Sequence, residues 1–272
     1  MRTLLCAVFF ATSLFAQTQD SASSVSSLVI SDFSSALSGV GSYLTSPLRF
    51  SGSDWLAVGG VAAGTGAIMG LDREIHRQMK SDGRESYNGD WWDAPTVYGD
   101  FAGAGGIGVL VYGAGLAARS EAIRVTGRVI LESLCSAGVA AFTLRYITGR
   151  SRPFTNDGPW AFRGFGWAHE HQSFPSGHAT AAFALSTSLA ERIGTSWSRI
   201  GFYALGTITA VARVRNNQHW ASDVAVGAVL GITAGFSAVN REAEQKASNP
   251  EPSSGFRIMP SARGVTVVYV LK

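Results

Sequence analysis

The sequence predicts an all-α fold, a helical bundle of about six core helices followed by a short C-terminal β-hairpin-like tail. Three observations predict it. Apolar stretches of helical length recur along the chain with no alternating strands between them, the pattern of a bundle and not of a layered α/β fold. Hydrophobic residues make up 46 % of the chain and charged residues only 15 %, well below the share of an ordinary soluble domain. Glycine is abundant, and Gly227, Gly231 and Gly235 recur at fourfold spacing, which lets two helix backbones approach closely.

Residues 1–16 have the build of a signal peptide, with Arg2 at the start, an apolar run from Leu4 to Phe15, and Ala16 before a polar stretch. The run is too short to span a bilayer, so it predicts export to a bacterial-type periplasm or cell envelope. Cys6 would leave with this leader, and Cys135 would stand alone without an intrachain disulfide. Residues 17–52 form a Ser-rich leader, expected as a loop with one or two short helices.

The first apolar helix is expected over Trp55–Leu71, followed by a solvated segment, "DREIHRQMKSDGRESYNGDWWD". The second covers Phe101–Ala118. The third, Ile123–Ile147, carries Arg124, Arg128 and Glu132 four residues apart, a face of alternating charge. A polar loop, Thr148–Ser173, leads to helices starting near His178, over Ile200–Val211 and over Asp223–Val239. Residues 53–240 are thus the helical domain. Most stretches fall short of the roughly 20 residues that a membrane span needs, so their length leaves bilayer crossing open. Residues 241–272 read as a polar linker, with Pro250 and Pro252, and a tail of two short strands around a Ser-Ala-Arg-Gly turn.

Several function classes drop out. The net charge is +3, with no Lys/Arg block and no aromatic-basic interleaving, so no nucleic-acid partner is expected. "GAGGIG", Gly103–Gly108, has the spacing of a dinucleotide fingerprint but lies inside an apolar helix with no strand before it. His169 and His171 lack carboxylate or Cys partners at useful spacing, so no metal is expected on them. Trp91, Trp92, Trp160 and Trp167 suit either a membrane border or ordinary loop packing.

The chemically capable groups gather in three stretches. The first holds Arg145 and, seven residues later, Arg152 before Pro153. The second is Pro175-Ser176-Gly177-His178. The third runs Arg213, five residues, His219, three residues, Asp223. Singly, each has an ordinary explanation: helix-flanking arginines, a capped turn, a helical His–Asp pair. Together they describe phosphate chemistry. Arg145, Arg152 and Arg213 are permanently charged forks suited to phosphate oxygens. Ser176 and Gly177 open a helix, so their N–H groups and the Ser hydroxyl can also face an anion. Asp223, one turn from His219, can hold its Nδ1–H and leave Nε2 as a nucleophile, while His178 is free to protonate a leaving oxygen. Three guanidinium groups supply the positive charge a metal would otherwise bring, so no cofactor is expected.

These stretches resemble the signature of the phosphatidic acid phosphatase type 2 and vanadium haloperoxidase superfamily: Lys, six residues, Arg-Pro; Pro-Ser-Gly-His; Ser-Arg, five residues, His, three residues, Asp. The likeness covers Arg145 to Asp223 and departs from the signature at Arg145, where the family has Lys, and at Ala212, where it has Ser. It implies a helical bundle, a phosphohistidine on His219, general acid work by His178, orientation of His219 by Asp223, and phosphate binding by Arg145, Arg152, Ser176, Gly177 and Arg213. The expected protein is a metal-independent phosphatase on a phosphate or diphosphate monoester. Its substrate would be a phosphorylated lipid such as phosphatidic acid or an isoprenyl diphosphate, and membrane association follows from that. A periplasmic acid phosphatase acting on soluble esters, a vanadium-dependent haloperoxidase (vanadate binds as a phosphate analogue) and a non-catalytic envelope protein are the competing expectations.

Overall fold

In a computed structural model, the structure describes residues 25–79 and 94–248, together with the backbone of 255–261 and 264–270. The expected signal peptide, Trp91 and Trp92 lie outside the described residues. Helices dominate: α1 over 25–44, α2 Gly52–Met79, α3 Ala94–Tyr98, α4 Phe101–Ala117, α5 Glu121–Thr148, α6 Gly177–Ile193, α7 Ser196–Arg215 and α8 Ala221–Ser248. The tail forms two antiparallel strands, β1 Gly255–Ser261 and β2 Gly264–Val270, with Ser261 paired to Gly264 across the turn. The all-α bundle with a hairpin tail is therefore what the chain adopts.

Helix starts and stops follow local chemistry. Asp100 caps α4 by accepting from the Gly103 N–H at 3.3 Å. Thr195 and Ser198 form a reciprocal capping box at the start of α7. Gly149 ends α5 in the left-handed region, φ 55°, and a side chain there would also strike the Gly164 carbonyl. That turn points the chain back over the bundle end, between Arg145 and Arg152. "GAGGIG" lies inside α4.

The core is built from small residues. Ala104, Ala137, Ala181, Ala184 and Ala234 pack with Ile130, Leu134 and Leu185 where α4, α5, α6 and α8 meet. The glycine stripe predicted to allow close approach faces α6: a methyl group at Gly227 would come within 2.6 Å of the Ser176 carbonyl oxygen, and one at Gly231 would overlap the Thr180 carbonyl. Backbone meets backbone there, which no larger residue permits.

Three expectations are corrected. The Ser-rich leader is a continuous helix over 25–44 and not a loop; its Asp32, Ser35 and Tyr43 bond to Arg124, Arg128 and Thr233, so tertiary partners override a weak helical pattern. The linker does not begin at Arg241, because α8 runs on to Ser248, with Arg241 bonded to Glu132 and Glu242 to Arg128. The segment after Leu71 is not uniformly solvated, because α2 continues to Met79 and Asp72 is fully buried.

The helices are also longer than the apolar runs suggested. α2, α5 and α8 are each 28 residues, about 42 Å at a rise of ~1.5 Å per residue, and all three are long and apolar enough to cross a membrane. In α2 Trp55, Leu56 and Leu71 face outward. That exposure fits association with lipid.

Candidate active site

The site forms where the C-terminal end of α5, the N-terminal ends of α6 and α8, and the last turn of α7 come together under the loop 149–173. The loop is held by main-chain bonds. Ser151 N donates to Ala161 O at 2.9 Å, Arg152 N to Glu170 O at 2.9 Å, and Ser173 N to Arg150 O at 3.0 Å. Ser176 N donates to Asp223 O at 3.0 Å, which ties the Pro-Ser-Gly-His turn to the first turn of α8.

Each predicted residue has a defined place. Ser176 is the N-cap of α6, its hydroxyl accepting from Ala179 N at 3.4 Å, and Gly177 is the first helical residue. The Arg145 guanidinium lies over Gly177, where any side chain would collide with it, and its Nε donates to Pro175 O at 2.9 Å. Arg152 is nearly buried; its Nε donates to His169 O at 2.9 Å and its Nη1 to Gln218 Oε1 at 2.9 Å. The "HEH" segment thus serves through its main chain, as a 3₁₀ turn whose carbonyls hold Arg152.

His219 is 1 % exposed, on the stretch joining α7 to α8. Burial, followed by the positive charges of Arg152, Arg213 and Arg145 and by His178, holds its pKa well below the usual imidazole value. His178, in the first turn of α6, is lowered to about 3, first by burial and then chiefly by Arg213, with Arg145 and Arg152 adding to the effect and Asp100 opposing it. All three predicted guanidinium groups therefore act on both imidazoles, and in the ligand-free protein both imidazoles are neutral.

The orientation of His219 differs from the sequence expectation. Its Nδ1 lies 2.8 Å from the Ser173 carbonyl oxygen, the bond that leaves Nε2 free, whereas the Asp223 carboxylate is 3.7 Å away. Asp223 instead accepts from the Ser173 hydroxyl at 2.5 Å, from Trp220 N at 2.8 Å and from Arg150 Nη1 at 2.5 Å. Ser173 is the intermediary: its hydroxyl is anchored by the carboxylate, and its carbonyl meets the imidazole. The His-x-x-x-Asp spacing puts the two residues on adjacent turns, but the ring reaches the loop before it reaches the carboxylate.

Sequence reasoning missed Ser173, Arg150, Gln218 and Asp72. Arg150 and Asp72 are both 0 % exposed.

Residues 127–246 match the model of the PAP2 superfamily. The chain is 34 % identical over 111 residues to a lipid A 1-phosphatase of Porphyromonas gingivalis, a match over 40 % of this chain and 21 % of that protein. It is 31 % identical over 152 residues to a lipid A 1-phosphatase of Rhizobium etli, covering 50 % of this chain and 63 % of that one. A Rhizobium johnstonii lipid A 1-phosphatase is 31 % identical over 120 residues, covering 42 % and 47 %. The chain thus matches less than two thirds of the length of each of these relatives. Among solved structures, that of Aquifex aeolicus LpxE aligns over 62 % of this chain and 95 % of its own, with 19 % identity and a TM-score of 0.47. The segment that matches the PAP2 superfamily model contains every predicted site residue from Arg145 to Asp223.

Proposed function

We propose that the protein is a membrane-associated phosphatase that removes a phosphate group from a lipid without a metal ion. One observation carries this reading: three guanidinium groups bear on a buried imidazole, His219, and a half-buried one, His178, lowering the pKa of both, and His219 has its Nδ1 bonded and its Nε2 free. A phosphate monoester seated among Arg145, Arg152 and Arg213 receives charge-assisted bonds on its oxygens. His219 Nε2 attacks phosphorus, the bond to the leaving oxygen breaks, and His178 gives that oxygen its proton. Water then attacks the phosphohistidine while His178 takes up the proton released, and inorganic phosphate departs.

The low pKa of His178 fits this cycle once substrate is counted. The negative charge of a bound phosphate offsets the guanidinium charges that suppress its protonation, so the acid forms when substrate arrives. The same charges, preorganised and shielded from water, stabilise the transition state.

A lipid substrate is supported by the three long apolar helices, of which α5 ends and α8 begins at the site while α2 reaches it through Asp72. The likeness to lipid A 1-phosphatases supports a glycolipid phosphate of the lipid A type in this reading, ahead of phosphatidic acid or an isoprenyl diphosphate. Export to the cell envelope fits such a substrate. The test is phosphate release by purified protein in mixed micelles from lipid A, phosphatidic acid, isoprenyl diphosphate and a soluble aryl phosphate. Release from the 1-position of lipid A supports the reading, and release confined to the aryl phosphate would favour an acid phosphatase of soluble esters.

A further inference from the structure

Apart from the three arginines of the phosphate cradle, the described residues contain a fourth guanidinium, fully buried and turned away from the cradle. Arg150 Nη1 donates to Asp223 at 2.5 Å and to Ser222 Oγ at 2.7 Å. Its Nη2 donates to Asp72 Oδ2 at 2.8 Å, and its Nε to the Pro159 carbonyl at 2.8 Å. Asp72 belongs to α2, outside the family-matched segment. It also accepts from Ser222 N at 2.9 Å and from the Ser222 hydroxyl at 2.6 Å, so it grips the first turn of the helix that carries Asp223.

We infer that Asp72 is a positioning residue for the phosphoryl-transfer step, acting through Arg150, Asp223 and Ser173 on the imidazole of His219. The chain of contacts is unbroken: Asp72 to Arg150, Arg150 to Asp223, Asp223 to the Ser173 hydroxyl, and the Ser173 carbonyl to His219 Nδ1. Its charge has a purpose too. Asp72, Arg150 and Asp223 together carry one net negative charge. Attack by Nε2 turns a neutral imidazole into a positively charged phosphoimidazolium, and that negative charge favours the change from the Nδ1 side. Against it act Arg145, Arg152, Arg213 and His178, which disfavour positive charge on the ring. With Asp72 neutral, the cluster carries no net charge and its pull on the phosphoimidazolium from the Nδ1 side is lost.

The inference rests on the phosphatase reading for its kinetics but not for its geometry, so the experiment reads both. Asp72→Asn keeps the shape and removes the charge. Phosphate release from lipid A is compared in parent, Asp72→Asn and Asp72→Glu, and the hydrogen-bonded Nδ1–H proton of His219 is followed by NMR in the same samples. For Asp72→Asn we expect kcat to fall by about a hundredfold, the scale of a misplaced reacting group, with KM little changed and the basic limb of the pH–rate profile kept. Asp72→Glu restores the charge and should recover part of kcat, whereas a purely structural role would make the bulkier Glu the worse variant. The Nδ1–H resonance should move in Asp72→Asn. If Asp72→Asn fails to fold, Ser222→Ala, which removes the hydroxyl bridging Asp72 and Arg150, replaces it, with a smaller drop in the same sense.

A folded variant with parental kcat and an unmoved resonance overturns the inference. Should the parent itself release no phosphate from any ester, the phosphatase reading fails. The resonance then decides the positioning role alone: moved supports it, unmoved overturns it.

Discussion

The bundle holds two clusters of arginines and carboxylates, a fully buried one at the site end and a partly buried one at the other. At the site end are Asp72, Arg150 and Asp223. At the other end Asp32 of α1 pairs with Arg124 and Arg128, Arg128 with Glu242, and Glu132 with Arg241 at 2.5 Å. Arg128 and Arg145 stand about 25 Å apart along α5 at a rise of ~1.5 Å per residue. The far cluster has three arginines and three carboxylates, so its charge is balanced, and it joins α1, α5 and α8 to one another. The near cluster has an excess carboxylate and ends on an imidazole. Three things separate the two networks: the complete burial of the near one, its uncancelled charge, and the group on which it terminates.

Substitutions can pull the two ends apart. The largest expected effect is on turnover at the near end: His219→Ala removes the nucleophile and should abolish phosphate release while leaving the fold cooperative, as circular dichroism and thermal melting would show. At the far end the loss should appear in stability instead. Glu132→Ala leaves Arg241 unpaired beside a buried arginine and should cost about 3–5 kcal/mol, the usual penalty for stranding one member of a buried pair. The variant that still folds should keep the parental kcat at low temperature. A large drop in kcat of folded Glu132→Ala would mean that the ends are coupled.

The smallest effect concerns pH. The His178 pKa is about 3 in the folded protein against 6.5 for the free side chain, so between those values the unfolded chain binds the extra proton. His178 therefore contributes stability that is complete above pH 6.5 and is lost as pH falls toward 3. The difference in melting temperature between parent and His178→Gln should narrow and then change sign over that window. Adding vanadate or phosphate should reduce the acid-side loss, because a bound anion offsets the guanidinium charges that oppose protonation.

Sequence legibility also split along this divide. The three motifs pointed to groups that the loop and helix starts do carry to one place, Arg145, Arg152, Arg213, His178 and His219, because phosphate chemistry demands particular residue types at short spacings. The glycine stripe of α8 was legible for the same reason: a fourfold spacing has one geometric meaning. Asp72 was not, because its partner Arg150 is 78 positions away and neither residue sits in a pattern with its neighbours. Nor was the exchange of acceptor on His219, since a four-residue spacing fixes the turn but not whether the ring meets the carboxylate or the passing Ser173 carbonyl first. The length of the helix over 25–44 exceeded the one or two short helices expected there because its Ser-rich composition has little intrinsic preference, and Asp32 and Ser35 find arginines nearly a hundred residues later.

The contact of Gly227 and Gly231 with the backbone of α6 has a bearing on how such a protein changes over time. His178 rides on α6 and His219 lies just before α8, so the gap between the two imidazoles is ruled by main chain pressed on main chain, like the fixed jaws of a gauge. Side-chain drift in the interior cannot widen it. New head groups would have to be accommodated by remodelling the overlying stretch from 149 to 173, leaving the measuring faces as they are.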